Sequence, residues 1–282
     1  MSVPETMRHG FVLLTMAVLF ATTAGASAGE PEVAPAHESF PIESEAMRET
    51  RRINVYLPPP GDAGAGSRYP VLYMPDGGIA EDFPHVARTI DTAIREQRMA
   101  PVILVGIENT QRRRDMTGPT EVDKDREIAP VVGGSAAFRA FIADELIPMI
   151  DARYPGNGRR GIIGESLAGL FIVESFFVSP GMFDTWIALD PSLWWNGGRL
   201  AGGAQSWFAA QPELRGRLYL AWSEPELIAP HARVLAAALK TTAPTGVQWQ
   251  AVERSDLDHA TIYRTLAPEV LPALYPPRSE GR

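Results

Sequence analysis

Ser166 is the residue of this 282-residue chain with the clearest chemical setting. It stands in Gly164-Glu165-Ser166-Leu167-Ala168-Gly169, between small residues on either side. The apolar run 160–163 ahead of it reads as a buried strand, and the run 170–178 that follows at once reads as a helix. Strand, small-x-Ser-x-small, helix is a nucleophile elbow, a turn so sharp that only Gly or Ala at the flanking positions lets strand and helix approach. Such a turn lifts the serine hydroxyl clear of the sheet and aims the first amide of the helix at a substrate oxygen.

A neutral hydroxyl is a poor nucleophile until something accepts its proton. Of five histidines, His9 precedes the fold, His37 sits in a leader, and His85 and His231 open expected helices. His259, in Ser255-Asp256-Leu257-Asp258-His259, follows the last expected strand and precedes the last helix, the loop that overhangs an elbow in an open α/β sheet. A carboxylate should hold the imidazole tautomer and stabilise its cation. It is expected after the second strand past the nucleophile, where Glu226 is the candidate beside Glu224; Asp256 and Asp258, nearer to His259 in sequence, could do the same work. The oxyanion hole should combine the amide of Leu167 with that of Gly77 or Gly78, in the loop closing the third strand.

These groups need a scaffold. Residues 40–44 and 51–57 read as paired edge strands ended by Pro58-Pro59-Pro60, and 61–66 as a glycine-rich linker. Strands follow at 69–74, 101–107, 159–163, 185–189, 217–222 and 247–252. Helices are expected at 85–98, 138–154, 167–178, 229–240 and 260–274. Strands alternating with helices of this size make an α/β fold with a mostly parallel central sheet and helices on both faces, whose ligands bind at the carboxyl ends of the strands.

With 45% hydrophobic and 21% charged residues the chain has the apolar content for one large core. A formal net charge of −8 argues against general binding to nucleic acid or to an anionic membrane. Arg8, the apolar stretch 11–21 and Ala26-Ser27-Ala28 have the make-up of a signal peptide over residues 1–28, leaving 29–282 as a single domain in the periplasm or outside the cell, without stable membrane insertion. No cysteine is present, which excludes disulfides and thiolate metal sites.

Trp194, Trp195 and Trp222 lie just past strand ends, where aromatic faces could hold an acyl group. Arg112-Arg113-Arg114 is a local cationic patch that could pair with an anionic ligand, Arg114 being the candidate contact. No metal-ligand spacing and no nucleotide-binding loop is found, so no cofactor is expected.

The segments Tyr69 to Gly77, Val105-Gly106-Ile107-Glu108-Asn109, Arg114-Asp115, Gly164 to Gly169, Asp190-Pro191-Ser192-Leu193-Trp194-Trp195-Asn196 and the late His259 resemble the esterase D-type "putative esterase" group of α/β-hydrolases. The likeness runs to the siderophore esterases that open the trilactones of enterobactin and salmochelin. The resemblance implies the α/β-hydrolase fold, Ser166 as nucleophile, His259 as base and an ester bond as target, with a ferric catecholate siderophore as the expected small-molecule substrate. Ala168 departs from the commoner elbow glycine, and Pro225 interrupts the segment searched for the acid; since some siderophore esterases have been read with an incomplete triad, a Ser-His dyad stays open. The alternatives are an acetyl or feruloyl carbohydrate esterase and a non-catalytic binding protein on the same fold.

Overall fold

The computed structural model describes residues 32–59, 67–223 and 226–277. The expected signal peptide and the glycine-rich linker lie outside these residues. From Val33 on the chain forms one unit.

The apolar runs become strands: β1 (His37–Ser44), β2 (Glu49–Tyr56), β3 (Tyr69–Pro75), β4 (Ile103–Ile107), β5 (Gly156–Glu165), β6 (Thr185–Leu189), β7 (Gly216–Trp222) and β8 (Val247–Glu253). They join in one sheet of order β1-β2-β4-β3-β5-β6-β7-β8. β1 and β2 are antiparallel, β2 meets β4 antiparallel, and every pairing from β4 to β8 is parallel. β2 is therefore an interior strand rather than an edge, and among the described strands β1 and β8 end the sheet. β4 to β6 are continuous apolar runs at their carboxyl ends because both faces of the sheet are covered.

Alternate strand residues feed two cores. Val71, Tyr73, Val105, Ile162, Trp186, Ala188 and Leu220 pack with the elbow helix Leu167–Val178, the helical stretch 135–153 and the helix Ala229–Thr242. Leu72, Met74, Leu104, Ile163, Ile187, Leu189 and Ala221 face the other way, onto the helices Phe83–Arg95 and Ile262–Leu274. Period-two alternation thus sends neighbouring residues of one strand to opposite layers.

The chain runs from β3 outward to β4 and then returns to β5, from which β6, β7 and β8 follow in the opposite direction. The loops leaving β3 and β5 diverge at this switch point and leave a crevice beyond the carboxyl ends of the strands. Ser166 stands at its edge.

Candidate active site

The elbow has the geometry its sequence demands. Ser166 adopts φ 61° and ψ −119°, outside the ordinary regions for a residue with a side chain. Its own N–H donates to the Leu189 carbonyl at 3.0 Å, and its carbonyl accepts from Leu170 at 2.9 Å and Ser192 at 3.0 Å, so neighbouring backbone holds the strained turn. A Cβ on Gly164 would lie 2.6 Å from the Ala168 Cβ, and one on Gly169 would lie 3.0 Å from both the Leu189 carbonyl oxygen and Pro191 Cα. Small residues are obligatory at 164 and 169, while the methyl of Ala168 fits because residue 164 has none. Leu167 is the first helical residue, and its N–H has no carbonyl partner within the helix.

His259 follows β8, close enough to the turn to feel the charge of Glu165, and its side chain is 44% exposed. Its Nδ1 lies 2.8 Å from Asp190 Oδ2. Asp190, one residue past β6, is wholly buried and is held by two groups of Ser223, the N–H on Oδ1 at 2.7 Å and the hydroxyl on Oδ2 at 2.9 Å. Burial acts to raise the Asp190 pKa, but the bonds from His259 and Ser223 outweigh it and the net shift is downward. The bond to Asp190 in turn raises the pKa of His259, against the opposing effect of burial and with help from the charge of Glu165. With Nδ1 engaged as a donor to the carboxylate, Nε2 is left with the lone pair. Ser192, two residues beyond Asp190, brings its Oγ to 3.4 Å from Ser166 Oγ and closes the group.

Other polar groups surround the crevice. Asp76, just past β3, receives a two-pronged contact from Arg112, Nε to Oδ1 at 2.6 Å and Nη2 to Oδ2 at 2.8 Å, and a third bond from Asn109. Glu165 is pushed up to about 7, first by burial and then by Asp82 and Asp190, while His259 and Arg112 act in the opposite sense. Its Oε1 is buried and accepts no hydrogen bond.

A serine on a strained elbow beside a carboxylate-oriented histidine is an arrangement for acyl transfer, and similarity to known proteins agrees. A family model described as "Putative esterase" matches residues 44–229, more than half of the chain. The chain belongs to this family. A relative in Bacillus subtilis, the ferri-bacillibactin esterase BesA, is 30% identical over 171 residues, which cover 54% of this chain and 57% of that protein. The iron(III) salmochelin esterase of Escherichia coli is 27% identical over 153 residues, 52% of this chain and 34% of that protein. The chain thus spans between about a third and three fifths of these relatives' lengths. The crystal structure of an IroE-like serine hydrolase from Shewanella oneidensis superposes with a TM-score of 0.72 and 25% identity over 85% of this chain and 80% of that one. The fold is that of the α/β-hydrolases.

Set within this esterase family, several expected site residues take different places. Glu226 is exposed and is not the partner of His259; Asp190 is, because the carboxyl end of β6, next to the nucleophile strand, already reaches the imidazole. Glu224 lies outside the described residues. Asp256 pairs with Arg254, and Asp258 bonds Thr261 at the start of the last helix, so neither serves His259. The Gly77 N–H is committed to the Ile107 carbonyl at 2.9 Å, prolonging the β3–β4 ladder, and the Gly78 N–H to Glu81 Oε2 at 2.7 Å. Neither is open to a substrate oxygen, whereas the Leu167 N–H has no carbonyl partner within the helix. Arg114 is bound by Glu49 and Asp115 at 2.6 to 3.1 Å, pinning the loop after β4 to β2, while Arg112 stands on Asp76 within reach of the Glu165 charge. Trp195 is buried and donates its Nε1–H to the Gly118 carbonyl at 2.9 Å, and Trp222 is buried as well; Trp194 keeps a partly exposed face. His85 packs edge-on against Tyr263 in the core, and His231 lies against Gly198. Asp190 was present in the sequence as a charged residue ending the apolar run 185–189 and followed by Pro191, a position where burial demands a partner.

Proposed function

We propose that this chain is an exported serine esterase that hydrolyses the ester bonds of siderophores. The observation that carries this reading is the strained Ser166 turn beside the His259–Asp190 pair. His259 Nε2 takes the Ser166 proton as Oγ attacks the ester carbonyl, and the oxyanion that forms accepts from the Leu167 N–H. Collapse of the tetrahedral intermediate breaks the bond to the alkoxy oxygen, which takes the proton back from Nε2 and leaves an acyl-Ser166. Water, deprotonated by the same nitrogen, attacks this acyl group, releasing the acid and restoring the serine. Asp190 stays ionised and holds the Nδ1–H throughout. Siderophores enter through the family relatives described above, two of which are named for siderophore ester substrates. Export rests on the composition of residues 1–28.

The test uses p-nitrophenyl esters together with siderophore trilactones in iron-free and ferric form. Wild-type protein should cleave both classes, and Ser166→Ala should lose turnover by about four orders of magnitude or more while keeping its circular dichroism spectrum. Undiminished hydrolysis by Ser166→Ala would remove the serine from the mechanism. Activity on simple esters with none on any siderophore would leave the esterase and discard the substrate.

A further inference from the structure

Ser223 is the first residue past β7, the place in the fold where the acid was sought. It is 3% exposed, and it supplies two of the three hydrogen bonds that the buried Asp190 carboxylate receives from side chains and neighbouring backbone, His259 supplying the third. The Ser223 hydroxyl and His259 Nδ1 both donate to the same oxygen, Oδ2, at 2.9 and 2.8 Å. Asp190 is further tied to β7 by its own N–H, which donates to the Ala221 carbonyl at 2.8 Å, and its backbone sits at φ +42°.

We infer that Ser223 is a positioning residue for the site, holding the Asp190 carboxylate ionised and turned toward His259. This inference rests on the serine-esterase reading and deepens it. A carboxylate buried without donors is driven toward its neutral form, in which it cannot stabilise an imidazolium. Ser223 prevents this twice, with an N–H that fixes one oxygen and an O–H that fixes the rotation of the other toward His259. The hydroxyl also shares the lone pairs of Oδ2 with the imidazole, which draws charge from the oxygen and moderates the basicity of the ring.

One variant of the full chain tests this. In Ser223→Ala, kcat should fall about 10- to 100-fold, the scale of one charge-assisted hydrogen bond, with KM nearly constant. The acid limb of its pH profile should move to higher pH, because Oδ2 then serves the imidazole alone and stabilises its cation more strongly. A hydroxyl that merely fills space would alter stability and leave that limb in place, and an unmoved limb overturns the positioning role. The reading beneath is tested separately, since full activity in Asp190→Ser or in Ser166→Ala would remove the triad itself.

Discussion

At the scale of single residues, the pairing of His259 with Asp190 divides the carboxylates near it into those that matter for turnover and those that do not. Asp190→Asn keeps the size of the side chain but cannot hold the imidazole in the right tautomer, and should lower kcat by about two to four orders of magnitude, whereas Glu226→Gln should stay within about twofold of wild type in the same ester assay. Proton linkage gives a second expectation. His259 accepts the Ser166 proton only when neutral, so activity should fall as pH drops through its pKa. The bond to Asp190 raises that pKa, which puts the midpoint of the acid limb above the ordinary imidazole value of about 6.5. The Glu165 charge contributes to the rise. Glu165→Gln removes it, so the limb should shift to lower pH; a shift to higher pH, or none, would show that this carboxyl does not act on the imidazole. Because Glu165 itself titrates near 7, the wild-type limb should report the two groups together and the variant limb one.

At the scale of elements, the elbow is a packing device before it is a catalytic one. Gly169 is the point at which the elbow helix touches the Asp190 loop, so a methyl there must push apart two segments that meet backbone to backbone. Gly169→Ala should cost about 1–3 kcal/mol in urea denaturation, the usual penalty of overpacking, and should also lower kcat by displacing Asp190. Stability loss with undiminished turnover would mean that the loop follows the helix without consequence. The same elements show what was legible beforehand. Apolar runs and turn residues located the strands of the sheet and the elbow helix, because burial on both faces leaves a strong pattern in sequence. The choice among carboxylates was hidden, since it depends on which strand end reaches His259 in space. The arginine run was hidden for a related reason. Residues 112–115 form a single helical turn, on which neighbours point about 100° apart, so Arg112 meets Asp76 while Arg114 meets Glu49. The glycine amides after β3 could not be assigned either, because their fate depends on how far the β3–β4 ladder runs on.

At the scale of the whole molecule, a formal charge of −8 surrounds a crevice whose own side chains include Asp76, Glu165 and Asp190 against Arg112 and His259. Arg112 already spends both prongs on Asp76. A multiply anionic ferric siderophore should therefore approach against the field. Its kcat/KM should rise as salt is raised from about 0.01 to 0.1 M, over which the screening length shrinks from about 30 to about 10 Å, while a neutral ester of similar size should hardly respond. A fall with salt for the anionic substrate would reveal steering by a cationic surface and reverse this account.

The seat of Asp190 has a further meaning for how such a molecule can change over generations. With the carboxylate supplied from β6, the exposed Glu226 is not the partner of His259. That residue can be traded under selection without touching the Nδ1 bond, whereas the turn from Asp190 to Ser192 is bound both to the elbow and to the imidazole. Variety in what the enzyme accepts can thus accumulate at one margin of the crevice while the reaction itself is inherited unaltered at the other.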